Sequence, residues 1–532
     1  MIDKSKNIQI YFKSIFGELF YFGLIALAFS IPLSLFFTSF FQFWLLGAWI
    51  LSFNFKEKLS RLMKNKVALA IIALFFIHII GLFWTSDFEY ALHDIKIKLP
   101  LLSIPFLLGS WDPLPNAKYY SVLKSLLFSV YIGTIVCAIN YFGFWYYSKN
   151  SLNEISIFIS HIRFSLLICF VIFIQLYFLL NFKNQSIISF WLNIIGIIWL
   201  IFFIVILKSI TGFLVLFGLL IFLLIYLILK CNSFKIKLIY ILFLIIIPIF
   251  FSLYIYSIFS EYKGNREISC NNMDKFTPDG NLYSYDLKNK QKENGNLIWV
   301  YIQRDELERE WNKRSSINFN ERDKKDNLIY STLIRFLTSK GLRKDAESLK
   351  KITDYEVSLI ENGTTNIKYP YNVISLNSKI YEIIWGIDSY IINDNPNGNT
   401  VIQRFEYCKT ALEIIKSNFL TGVGTGDVKS SFLKQYDIDK SNLIPELRLR
   451  AHNQYLTICI AFGLLGGLYF IFALILPFFI NSNSKHFLYI TFFIIITLSM
   501  IAEDTLESQT GITMTIFFMC YLLFLKSTKK KI

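Results

Sequence analysis

The sequence predicts an all-α polytopic membrane protein with about 12 transmembrane helices and one large, mainly helical extracytoplasmic loop domain. The chain of 532 residues is 54% hydrophobic and 17% charged, which is more apolar and less charged than a soluble domain. Runs such as IIGIIWLIFFIVIL are long enough to cross about 30 Å of hydrocarbon as helices. A hydrophilic segment, residues 260–450, interrupts these runs.

The apolar runs give the predicted spans in chain order. The fourth span is short and carries Pro100 and Pro105, so the number of spans is approximate. The predicted spans are residues 15–33, 37–54, 67–84, 97–110, 122–144, 162–181, 187–207, 211–230, 236–259, 453–480, 487–502 and 510–525.

The charges between the spans give the orientation. Segments 55–66 and 230–237 and the C-terminal tail are rich in lysine, whereas TSDFEY and EDTLESQ are acidic. The two groups alternate, so the positive-inside rule predicts that both termini are cytoplasmic. The predicted domains are helices 1–9 (residues 1–259), an extracytoplasmic, periplasmic loop domain (260–450) and helices 10–12 (451–532).

The loop domain carries its own folding signals. NLYSYDL and LIWVYI flank a polar turn around KENGN and alternate as hairpin strands do. RDELEREWNKR and TLIRFLTSKGLRKDAESLKKI have helical periodicity, and the second should pause at Gly341. Two more helical segments follow, separated by NDNPNGN. We therefore expect a small folded domain and not a linker.

The net charge of +15 does not indicate nucleic-acid binding, because much of it lies in short segments that set orientation. A basic surface suits anionic membrane lipids or a pyrophosphate-linked lipid. The cysteines have no metal-binding spacing. Cys270 and Cys408 share the hydrophilic segment and could pair in an oxidising compartment.

Several cations are predicted at the outer membrane boundary. Arg163 starts span six, Lys208 lies in the turn between spans seven and eight, and Arg404 lies in the loop domain. Each could be a snorkelling anchor. Their shared level beside a folded outer domain favours a binding site for a polyanion.

His452 precedes span ten on the same predicted side. It is either a helix cap or a general base, since the imidazole group titrates near neutral pH. His161, two residues before Arg163, is a further candidate for the site. His78, inside span three, is predicted to be a satisfied core residue.

The stretch GVGTGD contains Gly424 and Gly426 and allows two interpretations. It is either a helix stop with a turn or a set of backbone N–H groups that face an anion. It is not a P-loop, because no Lys-Ser/Thr follows it. Asp437 and Asp439 have a spacing that could hold a cation, but two acids in a charged loop are usually solvated. We predict no metal and no ATP-binding module.

One motif resembles a known family. His452-Asn453 is followed by nine residues and then by Gly463 and Gly466, after a large outer loop that carries an arginine helix and GVGTGD. This pattern is similar to that of the O-antigen ligase family, a superfamily shared with O-antigen polymerases and bacterial protein O-oligosaccharyltransferases. TLIRFLTSKGLRKDA and MIAEDTLESQTGI resemble stretches of its ligase members, and the resemblance covers most of the chain.

The resemblance implies a metal- and ATP-independent glycosyltransferase of lipopolysaccharide biosynthesis. It would sit in the bacterial inner membrane with its active site facing the periplasm, and it would need no cofactor. An undecaprenyl-pyrophosphate-linked saccharide would move en bloc to lipid A–core. The alternatives are a polymerase, a protein O-oligosaccharyltransferase or, less in keeping with the sequence, a lipid-linked glycan transporter.

The resemblance also suggests roles for single residues. His452 would be the essential loop histidine, and Arg163 and Arg404 the functional arginines. Relatives often carry arginine where this chain has Lys208, which keeps the charge but loses bidentate phosphate recognition. His161, Asn453, Gly424 and Gly426 complete the predicted substrate site. Gly463 and Gly466 would let span ten pack closely against a neighbour.

Overall fold

Helices dominate the structure, as the apolar runs predict. The computed structural model describes residues 2–143, 155–181, 186–207, 209–264, 273–369 and 376–527. Within these ranges, seven helices are long and apolar enough to cross a membrane, or eight if one bent pair of helices forms a single span. The predicted class, an all-α polytopic membrane protein, is confirmed.

The helices before the hydrophilic segment are α1 (Ile2–Ser30), α2 (Leu35–Leu51), α3 (Phe55–Lys64), α4 (Lys66–Ile80), α5 (Phe88–Ser110), α6 (Asn116–Tyr141), α7 (His161–Asn181), α8 (Ile187–Leu207), α9 (Ile210–Lys230) and α10 (Phe234–Lys263). The elements that follow are β1 (Lys292–Glu293), β2 (Asn296–Leu297), α11 (Arg304–Trp311), α12 (Ile329–Ser339), α13 (Ala346–Lys350), α14 (Asp354–Glu361), α15 (Leu376–Asn393), α16 (Thr400–Ser417) and α17 (Val428–Ile438). The last helices are α18 (Gln454–Ile480), α19 (Phe487–Ala502) and α20 (Gln509–Phe524).

Each predicted span coincides with a helix, but the helices differ in how well they fit a bilayer. Residues 15–30 of α1, together with α19 and α20, are apolar but shorter than a usual span. The bent pair is α2 and α3, whose axes differ by 118°. The total of about 12 spans therefore stays a prediction, as does the orientation.

The chain divides into two compact units. The first contains residues 1–230, 407–440 and 448–532, and the second contains residues 231–406 and 441–447. The second unit begins before the predicted boundary at residue 260, because Ile258 and Tyr262 of α10 pack against Tyr381 of α15. Its periplasmic location stays a prediction, and the possible partner Cys270 lies outside the described residues.

The second unit is mainly helical, as predicted. α11 to α14 surround an apolar core that includes Trp311, Phe319 and Leu333. The predicted hairpin is present only in part: β1 and β2 pair around the predicted KENGN turn, and NLYSYDL meets LIWVYI at one isolated antiparallel bridge, Ser284 to Ile302. Gly341 has φ +73° and follows α12, so the expected pause in the helical segment is where the backbone requires glycine.

In the first unit, α5 packs between α4 and α20, and α18 packs against α4. α19 packs against α7 and α9. Close contacts need small residues: a Cβ at Gly109 of α5 would lie 2.7 Å from the Cβ of Ala68 in α4. This packing brings the segment before α18 close to the 503–508 turn that joins α19 to α20, where the candidate site lies.

Candidate active site

His452 lies immediately before α18, and the residue after it caps that helix. Asn453 is the N-cap: its Oδ1 accepts a hydrogen bond from the Leu456 N–H at 3.1 Å. Its Nδ2 donates to the Ile501 carbonyl at 3.0 Å. His452 itself has φ +47°, a left-handed conformation that costs about 1–3 kcal/mol in a non-glycine residue. The structure therefore assigns helix capping to Asn453 and not to His452.

The imidazole ring of His452 faces an acid. Its Nδ1 lies 3.9 Å from Oε2 of Glu503, and the side chains are 33% and 17% exposed. The ring also packs beside Tyr407, with 5.7 Å between the ring centroids. A carboxylate on the Nδ1 side favours the tautomer that protonates Nδ1 and leaves Nε2 as a proton acceptor.

Glu503 joins His452 to the predicted residues of α7. Its charge acts on both His161 and Arg163. We call His161, Arg163, His452 and Glu503 the Glu503 cluster. Three of the predicted site residues therefore lie within electrostatic range of one acid, which had served only to predict the topology.

An open cavity of about 390 Å³ adjoins the cluster. Arg163 lines it together with Ser160, Ser508 and Gln509, and Leu35 and Ile159 supply an apolar wall. Its size falls in the range of small-molecule sites, which is roughly 300–1,000 Å³. A cation, hydroxyl groups and an apolar wall suit a ligand with an anionic headgroup and a lipid chain.

A buried ion network lies behind the cluster. Glu507 accepts hydrogen bonds from Lys98 Nζ at 2.7 Å and Gln454 Nε2 at 3.0 Å, and Arg450 lies 3.5 Å from it. Lys98 also lies 3.6 Å from Asp94. Burial alone would raise the pKa of Glu507, but Lys98 and Arg450 hold it well below the usual range. Buried charges are tolerated only when paired in this way.

The same network fixes the 503–508 turn to α18. The Leu506 N–H donates to Gln454 Oε1 at 2.7 Å, and Thr457 Oγ1 donates to Asp504 Oδ1 at 2.8 Å. Burial raises the pKa of Asp504 against the opposing effect of Arg450. Glu503 and His452 therefore stand on two segments that are joined by buried hydrogen bonds.

The glycine loop bonds to the protein itself. The N–H groups of Val423 and Gly424 donate to the carbonyls of Ile460 and Ala461 at 2.8 and 2.9 Å. The Gly426 N–H donates to Thr85 Oγ1 at 3.2 Å. These bonds favour the turn interpretation of the loop over the anion-binding interpretation, and they support no substrate contact by Gly424 or Gly426.

Gly463 breaks α18 at the point where the loop packs. Its φ is +66° and its ψ is −168°, and the Leu464 N–H donates to the Phe419 carbonyl at 2.8 Å. A Cβ at Gly463 would lie 2.1 Å from the Leu420 carbonyl oxygen, and one at Gly466 would lie 2.3 Å from the Cβ of Phe462. Gly463 therefore lies against the segment before the glycine loop, whereas Gly466 lies against Phe462 of α18 itself, so the predicted packing of Gly466 against a neighbouring helix stays a prediction.

The other predicted cations stay predictions. Arg404 lies in α16 within the second unit, and Lys208 lies outside the described residues. His78 is buried in α4, where its Nδ1 contacts the Leu74 carbonyl oxygen at 2.8 Å, as expected of a satisfied core residue.

The two loop acids have protein partners. Asp437 Oδ1 accepts a hydrogen bond from Arg448 at 2.6 Å, and Asp439 Oδ1 accepts one from Gln435 Nε2 at 2.8 Å. The described residues contain no group of three or more His, Cys, Asp or Glu side chains that could hold a metal ion. Residues beyond the described ranges are not covered by this observation.

The sequence analysis did not identify Glu503, Arg450 or Glu507 as site residues. The three acids of EDTLESQ served only to orient the chain. One sequence signal could have indicated these residues. A short turn between two apolar helices carries three carboxylates, and charges buried beside such helices need partners.

A comparison with known proteins supports the His452-Asn453 motif that indicated the candidate site. Residues 369–471 match the family model described as O-Antigen ligase. The match contains Arg404, His452, Asn453 and both packing glycines of α18. No curated protein matches the chain.

Proposed function

We propose, from the match of residues 369–471 to the O-antigen ligase family model, that this chain transfers a lipid-linked saccharide to a hydroxyl acceptor. The family match supports a glycosyltransferase of O-antigen ligase or polymerase type. The donor in our proposal is a glycan on undecaprenyl pyrophosphate, and the acceptor is lipid A–core. The observation that supports this proposal is the pair of His452 and Glu503, 3.9 Å apart, with His161 and Arg163 within electrostatic range of Glu503.

Arg163 is the proposed ligand of the donor pyrophosphate. It lines the 390 Å³ cavity, and a guanidinium can form two parallel hydrogen bonds to phosphate oxygens. Glu503 nearby would hold the guanidinium in place before the donor arrives. As the glycosidic bond breaks, negative charge grows on the pyrophosphate, and a fixed cation stabilises that charge.

His452 is the proposed general base. The acceptor O–H gives its proton to Nε2, and the acceptor oxygen forms a bond to the anomeric carbon of the donor. The bond from that carbon to the pyrophosphate oxygen breaks, and lipid pyrophosphate leaves with the bonding electrons. Direct displacement inverts the anomeric centre. Glu503 would stabilise the imidazolium that forms.

The pyrophosphate is already a good leaving group, so the proposed reaction uses neither ATP nor a metal. The site would face the periplasm from the inner membrane, where both the donor and lipid A–core are exposed. Arg404 is proposed as a second cation for the donor, and Lys208 as a third. The same chemistry would serve a polymerase or a protein O-oligosaccharyltransferase, which differ only in acceptor.

The test uses purified protein in detergent with a lipid-linked saccharide and three acceptors: lipid A–core, a second lipid-linked saccharide and a serine-containing peptide. We expect transfer to lipid A–core. His452→Ala should slow transfer by about 10²- to 10⁴-fold while donor binding persists, whereas Arg163→Ala should weaken donor binding. Transfer only to another acceptor would reassign the substrate. Full activity of His452→Ala would contradict the mechanism.

A further inference from the structure

A second cavity lies in the first unit, at the ends of four helices. Its volume is about 570 Å³, larger than that of the cavity beside Arg163. It is lined by residues at the start of α4 and just beyond the ends of α5, α18 and α20. All four ends belong to the face that the positive-inside rule assigns to the cytoplasm.

Three lysines line this cavity: Lys64, Lys66 and Lys526. Among the described residues, no carboxylate lines it. The nearest acid along the chain, Asp112, is engaged elsewhere, because its Oδ1 lies 2.9 Å from Arg61. The cavity is thus a concentrated positive site, and like charges placed together are unfavourable unless an anion joins them.

Lys526 is the most enclosed of the three. It is half-buried, and burial lowers its pKa to about 8. A lysine that is partly removed from water without an acid beside it gains the most from an anionic ligand. Lys526 also acts on His486, so the positive field extends along this face.

Hydrogen bonds hold the walls of the cavity in place. Asn483 Nδ2 donates to the carbonyls of Leu523 and Lys526 at 2.9 and 3.1 Å, and the Leu114 N–H donates to the Leu525 carbonyl at 2.8 Å. The backbone of Lys526 is therefore fixed on two sides. These bonds restrict the freedom of the cavity wall, and a rigid wall reduces the entropic cost of binding.

The rest of the lining is mixed. Val67, Ile480, Leu523 and Phe524 are apolar, whereas Asn65, Asn481, Ser482 and Asn483 are polar. Lysines at the boundary of a helix bundle combined with apolar helix ends match the two parts of a phospholipid, a phosphate headgroup and acyl chains. A soluble phosphate would use only the first part.

We propose that this cavity binds the phosphate headgroup of an anionic phospholipid on the cytoplasmic face, with Lys64, Lys66 and Lys526 as its cations. The site is separate from the Glu503 cluster and does not depend on the transfer reaction. Bound lipid would join α4, α5, α18 and α20, and hence stabilise the bundle that carries His452.

Thermal unfolding of the purified full chain tests the proposal, with dioleoyl phosphatidylglycerol or dioleoyl phosphatidylcholine added to the detergent. Phosphatidylglycerol should raise Tm and phosphatidylcholine should not. In a K64Q/K66Q/K526Q variant, half-saturation should need about 100-fold more phosphatidylglycerol, from roughly 5-fold per lysine near a membrane surface. Lys56→Gln, an exposed lysine of α3 outside the cavity, is the matched control and should respond as the wild type does.

Two results would overturn the proposal. One is an unchanged phosphatidylglycerol response in the triple variant, and the other is an equal rise in Tm with inorganic phosphate, which would make the ligand a soluble anion. If the triple variant does not fold, Lys526→Gln alone serves, since Lys526 follows the last helix. Native mass spectrometry should then show roughly 5-fold weaker phosphatidylglycerol binding, and equal binding would refute the site.

Discussion

Glu503 Oε2 lies 3.9 Å from Nδ1 of His452, although 50 residues and the whole of α18 and α19 separate them along the chain. The distance exceeds that of a hydrogen bond and is that of an ion pair. Because Glu503 lies on the Nδ1 side of the His452 ring, the pair leaves Nε2 as the atom that would accept the proton in the proposed mechanism.

Glu503→Gln tests the pair. It keeps the size of the side chain but removes the charge that would stabilise the imidazolium, so we expect kcat to fall about 10²-fold with little change in the KM for the acceptor. Glu503→Asp should recover part of the rate. Steady-state transfer assays at saturating donor measure both. An unchanged kcat in Glu503→Gln would remove Glu503 from the mechanism.

Gly463→Ala tests the break in α18. The new Cβ would lie 2.1 Å from the Leu420 carbonyl oxygen at a backbone φ of +66°, so we expect a loss of about 2 kcal/mol or more in stability. The matched control is Gly47→Ala in α2, where a Cβ meets nothing within 4 Å. Thermal unfolding of both variants should show a lower Tm for Gly463→Ala alone. Equal values would mean that the loop can move aside.

Labelling of Tyr355→Cys tests the orientation. Tyr355 lies in α14 of the second unit and is 71% exposed, so a cysteine there should react readily. In a variant without the native cysteines, an impermeant maleimide should label it in cells with a permeabilised outer membrane. Labelling only after lysis would place the second unit in the cytoplasm and contradict the proposed periplasmic site.

Chelation tests the proposed independence from metal. Transfer by the purified protein should persist in excess EDTA, because in the proposed mechanism the pyrophosphate leaves without activation and Arg163 supplies the positive charge. Asp437→Asn and Asp439→Asn should also be active. Loss of turnover with EDTA and its return with magnesium would redirect attention to these two acids.

Stability of the second unit should depend on pH through Lys344. Burial lowers the pKa of Lys344 to about 7, whereas an unfolded lysine titrates near about 10.4. Between these values the unfolded state binds more protons, so stability rises with pH. The Tm of the wild type minus that of Lys344→Met should therefore increase from pH 6 to pH 9.5. A constant difference would show that Lys344 keeps its ordinary titration.

Much of the fold was readable from the sequence, because apolar runs and lysine-rich turns act locally. The His452-Asn453 motif and the glycines that follow it are also local features of the sequence, and they indicated the segment that contains the candidate site. The role of Glu503 was not readable, since it depends on how α7, α18 and α19 pack. The choice between the two interpretations of GVGTGD depended on the break in α18 at Gly463. Because of this break, carbonyl groups of α18 are free to accept hydrogen bonds from the N–H groups of the loop.

The bonds between residues 419–424 and 460–464 also constrain protein engineering. A chimaera that exchanged the hydrophilic segment at its predicted ends, 260 and 450, would join a foreign loop to a native broken helix and leave carbonyl groups of α18 without donors. If the junctions were placed near residues 231 and 406, residues 419–424 and 460–464 would both come from the same parent protein, and the hydrogen bonds between them would be kept.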